Sequence, residues 1–259
     1  MPEASDVRPD PVWPDPVEGA PLTARAGAEL ALAAALREAS DFARAMVPSA
    51  PTPEAYRGTL VADARRLTGL AGRALAAAIA VERADGTPWP EIARAIGDEP
   101  GHTREHWEPM VRQWDVVTEQ AAIPQAPEDA DDPPGSVETT TAELDAWIVR
   151  HREADAASAG SGEPAPDDRP LSDALARMDP YHELLHLAAV RRRLATLYDG
   201  SSPPARLLDL VEREAVLEEH LAAEADPADR ADHERAAARA RTVAAHLRAR
   251  SDGGDLPAG

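Results

Sequence analysis

"GTPWPEIARAIG", residues 86–97, decides how the first half of the chain folds. Ile92 and Ile96 stand four apart, which puts both on one face of a helix, and Ala93 beside them leaves room for a second helix to cross closely. Thr87 is the expected N-cap, Pro88 the first helical residue, and Trp89 the group that closes the N-terminal end. Gly97 supplies the positive φ that lets a helix stop and turn. The stretch predicts a short helix that ends in a tight turn and hands the chain to another helix.

Composition points the same way. The 259 residues are 43% hydrophobic but only 3% aromatic, with Phe42 the sole Phe, so the core must rest on Ala and Leu, which favour helix over strand. An all-α fold follows as the expectation. All 27 basic residues are Arg, Cys is absent, and the formal net charge is -20. Disulfides, thiolate metal sites and cysteine nucleophiles are thereby excluded. Acidity of this size favours solubility and opposes non-specific binding to phosphates or anionic lipid. No run reaches about 18 apolar residues, and "MPEASDVRPDPVWPDPVEG" lacks the order of a secretory signal, so a cytoplasmic protein with no membrane partner is expected.

Stretches rich in Pro, Gly, Ser and acid cannot bury enough apolar surface to offset the entropy of ordering them, and they divide the chain. The expected order is a disordered segment at 1–21, a helical unit at 22–123, an acidic Pro-rich linker at 124–140, an isolated amphipathic helix at 141–157, a linker at 158–170, a C-terminal helical hairpin or three-helix bundle at 171–250, and a disordered tail at 251–259. Inside the first unit one helix spans Leu22 to Val47, and another runs from an N-cap at Thr52 to about Ala84. Gly69 and Gly72 within it mark either a close helix crossing or a bend. Thr141 is the expected cap of the isolated helix, whose Leu144, Trp147, Ile148 and His151 share helical spacing. Asp179 and the pair Asp226-Pro227 open two helices of the last region.

The helix Trp89, Pro90, Glu91, Ile92, Ala93, Arg94, Ala95, Ile96, Gly97 resembles the "W-x-E-I-G-x-x-L-G" helix of bacterial helix-turn-helix proteins, and the likeness extends over roughly Leu67 to Trp114. The resemblance implies a DNA-associated regulator bound to double-stranded DNA through the segment 86–120. His102, Thr103, Arg104 and His106 then face base edges, while Arg94 and Arg65, Arg66 and Arg73 of the preceding helix meet phosphates. With the usual short turn, three positions that the family keeps apolar fall on Asp98, Thr103 and His106, all polar here. A longer turn capped by Thr103 instead lines up Trp107, Met110, Val111 and Trp114 on one face, although Pro109 then kinks the helix or begins it. The other reading is an acidic helical adaptor with no nucleic-acid role. In both, residues 171–250 serve self-association or the binding of another helical protein.

"YHELLHL" matches H-E-x-x-H, in which His182 and His186 hold zinc and Glu183 activates a water. Asp179 and Pro180 place His182 in the first turn of its helix, where the positive end of the dipole disfavours a cation, and no strand lies upstream. Glu212, Glu214, Glu218 and His220 are the available third ligands. A zinc hydrolase is the distant alternative, and the expectation is a protein with no enzymatic activity, cofactor or metal.

Overall fold

The computed structural model describes residues 14–47, 58–121, 137–159, 169–197 and 204–252. These form eight α-helices and no strand: α1 Ala24–Met46, α2 Thr59–Ala84, α3 Trp89–Ile96, α4 Pro100–Ala121, α5 Val137–Ala159, α6 Pro180–Leu197, α7 Pro204–Glu224 and α8 Pro227–Asp252. The protein is all-α. Thr52, expected to cap the second helix, lies outside the described residues, as do 122–136 of the acidic linker.

The described residues fall into two compact units. One holds 22–121, 137–159 and 169–176, and so takes α1 to α5. Its base is the packing of α1 on α2, with α4 set against both and α3 against α4. Thr23 caps α1 by accepting the Ala26 N–H at 3.1 Å, and Ala26 and Leu22 pack with Leu175 and, at the edge, Leu30 and Leu171. The isolated helix of the sequence reading is not isolated. It begins at Val137 rather than Thr141, whose hydroxyl donates to the Glu138 carbonyl at 3.0 Å, and it packs against α1. Arg37 of α1 donates to Glu143 at 3.1 Å, the Trp147 indole N–H donates to Asp41 at 3.1 Å, and Leu144 is buried between them in sequence. Asp145, also buried, accepts the backbone N–H groups of Leu171 (2.7 Å) and Ser172 (3.2 Å) and the Ser172 hydroxyl. Residues 169–176 therefore belong to this unit, not to a linker or to the C-terminal bundle.

Gly69 and Gly72 each weaken the interior of α2 by about 1 kcal/mol relative to Ala. Among the described residues no close crossing accounts for them, since nothing lies within 4 Å of a Cβ placed at either position.

The second unit holds 14–21, 177–197 and 204–252. Asp179 caps α6 by accepting the N–H groups of Tyr181 and His182, each at 3.1 Å. Leu187, Val190 and Leu194 of α6 pack on Leu210 and Leu217 of α7, and Val211 and Ala215 pack on Ala240 and Ala244 of α8. Arg241 with Glu219 (2.8 Å) and Arg248 with Glu212 (2.5 Å) tie the outer edges of α7 and α8. Where a helical hairpin or three-helix bundle was expected, the chain places three helices, with α7 packed against both α6 and α8.

The segment 14–21, expected to be part of a disordered terminus, is instead docked on this bundle. Val17 packs against the α6–α7 core, the Arg177 guanidinium donates to the Ala20 carbonyl at 2.7 Å, and the Met178 N–H donates to the Pro21 carbonyl at 2.9 Å. Composition alone misreads it because one apolar residue and two carbonyls, seated on a partner, are enough to hold so short a strap.

Candidate functional site

The helix pair α3 and α4 is where the sequence concentrates its functional signal. Ile92 and Ala93 are buried and Ile96 is half-buried, as their spacing requires. Gly97 adopts φ 74°, ψ 33°, and the N–H groups of Gly97 and Asp98 both turn back to the Ala93 carbonyl, a helix end that a side chain at Gly97 would strain. Only Asp98 and Glu99 separate it from α4, so the turn is the short one. Thr87 is not the cap of α3. Its hydroxyl donates to Glu82 at 2.7 Å, and the first turn of α3 bonds to the Pro88 carbonyl instead. The Arg83 guanidinium reaches the Thr87 carbonyl at 2.6 Å and lies over the Trp89 ring at 4.9 Å, so the indole closes this end by a cation–π contact.

With the short turn, Thr103 becomes the residue of α4 that faces the core. It is 0% exposed, its hydroxyl is enclosed, and a group with no accessible surface cannot touch a base edge. The expectation that Thr103 reads DNA, or caps a later helix, is corrected accordingly. "GHTREHW" is helix, and Pro109 stands inside α4 without ending it. Pro109 and Glu105 are both exposed, so water can satisfy the Glu105 carbonyl that loses its partner.

The remaining candidate contacts are distributed unequally. His102 pairs with Asp98 at 2.8 Å, and the Asp98 carboxyl is held below the usual range by the Glu99 N–H and, against some loss of hydration, by His102. Arg104 forks onto Glu108 at 3.1 and 3.3 Å, and Arg112 reaches the same carboxylate at 3.1 Å. Glu108 is lowered below its ordinary value chiefly by the Arg104 hydrogen bond, and Arg104 is raised in turn. His106 is exposed with its ring edge-on to Trp107, at 4.8 Å between centroids. On α2, Arg73 pairs with Glu38 of α1 and Arg66 lies over the Phe42 ring at 4.6 Å. Arg65 and Arg94 are exposed and, among the described residues, have no partner.

What α3 and α4 present to solvent is therefore dominated by carboxylates. Among the side chains described there, Glu91, Asp98, Glu99 and Glu105 are exposed, and the half-covered Glu108 holds two of the arginines. The sequence shows the excess of acid, and the pairing of Arg104 and Arg112 on Glu108 follows from their i,i+4 spacing once this stretch is helix.

The H-E-x-x-H residues lie elsewhere, on α6. Glu183 is 2% exposed and gripped by Arg213 of α7, whose Nε and Nη2 donate to its two oxygens at 2.6 and 3.0 Å. A carboxylate with both oxygens engaged by a guanidinium is a poor base for water. The His182 ring is turned to the Asp179 carboxylate, which lies below its usual range because these hydrogen bonds outweigh its burial. Among the described residues, no group of three His, Asp or Glu is arranged to hold a metal. The same Arg213 donates from Nη1 to the Glu18 carbonyl at 2.8 Å, so one guanidinium joins α6, α7 and the N-terminal strap. Sequence reading missed Arg213 and Asp145, because the partners of each lie 26 or more residues away and no local pattern marks them. No protein-family model, curated protein or solved structure matches the chain.

Proposed function

We propose that this protein is an acidic, all-helical protein-interaction module whose helix-turn-helix-like segment serves as scaffold and does not read duplex DNA. The observation that carries the reading is Glu108 holding both Arg104 and Arg112, on a surface otherwise lined by Glu91, Asp98, Glu99 and Glu105. Non-specific affinity for DNA comes from cations free to replace counterions at phosphates. Here the two arginines of the supposed reading helix share one carboxylate amid further exposed carboxylates, and the whole chain carries -20.

Fluorescence anisotropy of a labelled random duplex at low salt tests this directly. Non-specific DNA binders show dissociation constants on the order of 10⁻⁴ to 10⁻⁶ M at physiological salt. The expected result is no saturable binding in that range even at about 50 mM salt. Micromolar binding that weakens with salt and is lost in Arg65→Ala/Arg94→Ala would overturn the reading. Those two arginines favour the second reading, a DNA-associated regulator, because they alone of the candidate arginines are exposed and unpaired among the described residues. In it they meet phosphates, with His106 and a released Arg104 toward the bases.

A further inference from the structure

Between α6 and α7 the C-terminal unit leaves a cavity of about 420 Å³, a size that holds small ligands. Leu184, Leu187 and Ala188 of α6 line it, Leu187 only 6% exposed, while Leu185 stands at its lip 68% exposed. On α6 the lining runs from Tyr181 to Arg191, about 15 Å at 1.5 Å per residue, room for an extended alkyl chain. None of the strap residues 14–21 enters the lining, although Val17 packs on the neighbouring core.

Three charged residues border this apolar surface, and they do not balance. Arg191 is held by Glu214 at 2.5 Å, so that pair is neutral in sum. Glu218 is the third, with a side chain 14% exposed. Its Oε2 meets Nδ1 of His233 on α8 at 2.7 Å, and its Oε1 accepts from no group among the described residues. With histidine counted neutral at pH 7, the lining keeps one negative charge. Tyr181 lies at the same end, its ring 6.1 Å from that of His233 and 39% exposed.

We infer that this cavity is a binding site for a small apolar amine, with its ammonium group on Glu218 and its alkyl chain along Leu184, Leu187 and Ala188. The ammonium supplies the donor that Oε1 lacks and the charge that offsets the carboxylate, in a site shielded enough for the attraction to exceed that of a surface pair. Tyr181 adds the negative face of its ring, which favours a cation. A fatty carboxylate is disfavoured because Arg191 is already engaged, and the net charge of -20 repels anions while it gathers cations.

The inference goes beyond the interaction reading and stands apart from the DNA titration, because no residue of α3 or α4 lines the cavity. Calorimetric titration of the full chain with octylamine at pH 7 should show one site with a dissociation constant below about 1 mM. Octanoate, which has a similar chain and the opposite charge, should bind at least about tenfold more weakly, and so should methylamine, which has the charge without the chain. Glu218→Gln keeps the shape and the bond from His233 but not the charge, and should weaken octylamine about tenfold with unchanged circular dichroism. Ala188→Phe, at an exposed position of α6, fills the cavity and should remove the site. Absence of octylamine binding up to about 5 mM overturns the proposal. So does octanoate or methylamine of equal affinity, a comparison that needs no variant. An affinity unchanged in Glu218→Gln overturns it as well, since one of the other carboxylates among the 47 acidic residues then holds the amine.

Discussion

Replacing Arg213 by alanine should do more damage than any other single charge removal in the C-terminal unit. Among the described residues its guanidinium is the counter-charge of Glu183, a carboxylate 2% exposed, through contacts of 2.6 and 3.0 Å. Truncation leaves that charge buried and unpaired, which costs about 3–5 kcal/mol. The hydrogen bond to the Glu18 carbonyl at 2.8 Å goes with it, adding about 1 kcal/mol and releasing the strap that carries Val17 onto the core. The expected loss is about 4–6 kcal/mol, comparable with the whole stability of a small domain. Urea unfolding at pH 7 followed by far-UV circular dichroism measures it. Tryptophan emission serves as the internal control, since four of the five tryptophans (Trp89, Trp107, Trp114 and Trp147) belong to the other unit and their transition should hold its midpoint. Glu183→Leu/Arg213→Met, which removes both charges and keeps volume, should recover most of the loss. A loss below about 1 kcal/mol in Arg213→Ala would refute the reasoning, because it would mean that Glu183 is hydrated or paired otherwise.

Other consequences are sharper in sign than in size. Leu144→Ala, at the buried centre of α5, should lower the stability of the first unit by about 2–5 kcal/mol in the same titration. Gly97→Ala forces a side chain into φ 74° and should cost about 1 kcal/mol, read as a lower melting temperature, with no change in helix content at 20 °C. Thr103→Val replaces an enclosed hydroxyl by a methyl of equal shape and should change stability by less than about 1 kcal/mol in either direction, whereas a base-reading role would predict no structural tolerance rule at all. Asp98, Glu108, Asp179 and Glu219 all have carboxyls held below their ordinary values, Glu219 chiefly by its hydrogen bond from Arg241. A lowered folded value stabilises fully above the unfolded value and is lost as pH falls through the folded one. The difference between the wild type and Glu219→Gln should therefore be a few tenths of a kcal/mol at pH 7 and vanish well below pH 4, by thermal melts across that range.

How much of the site was legible varied with how far the deciding contact lies along the chain. Ile92, Ala93 and Gly97 could be read because burial on a helix face and a positive-φ stop are short-range properties. Thr103 could not. A polar residue at a core-facing position argues for a longer turn when only polarity is weighed, yet Asp98 and Glu99 close the short one, and one hydroxyl is a smaller penalty than losing the packing of α3 on α4. Glu183 shows the same limit, since its zinc role was only the distant alternative yet nothing local names what holds it. Four residues of spacing make it look like a zinc-site base, and an arginine 30 residues later removes that chemistry.

By itself, then, the sequence determined that this chain is helical, where most of its helices begin and end, and that its surface is acidic. The cap at Asp179, the Asp226-Pro227 pair that opens α8, and the alanine-rich composition act within a few residues, so no fold is needed to read them. The tertiary structure alone decided that residues 14–21 are docked, that α5 has a neighbour, that Arg213 holds Glu183, and that Thr103 faces the core. Each of these turns on which side of one helix meets which side of another. Helical period leaves that choice open until the helices are packed, because the same stripe can bury against several partners at similar free energy.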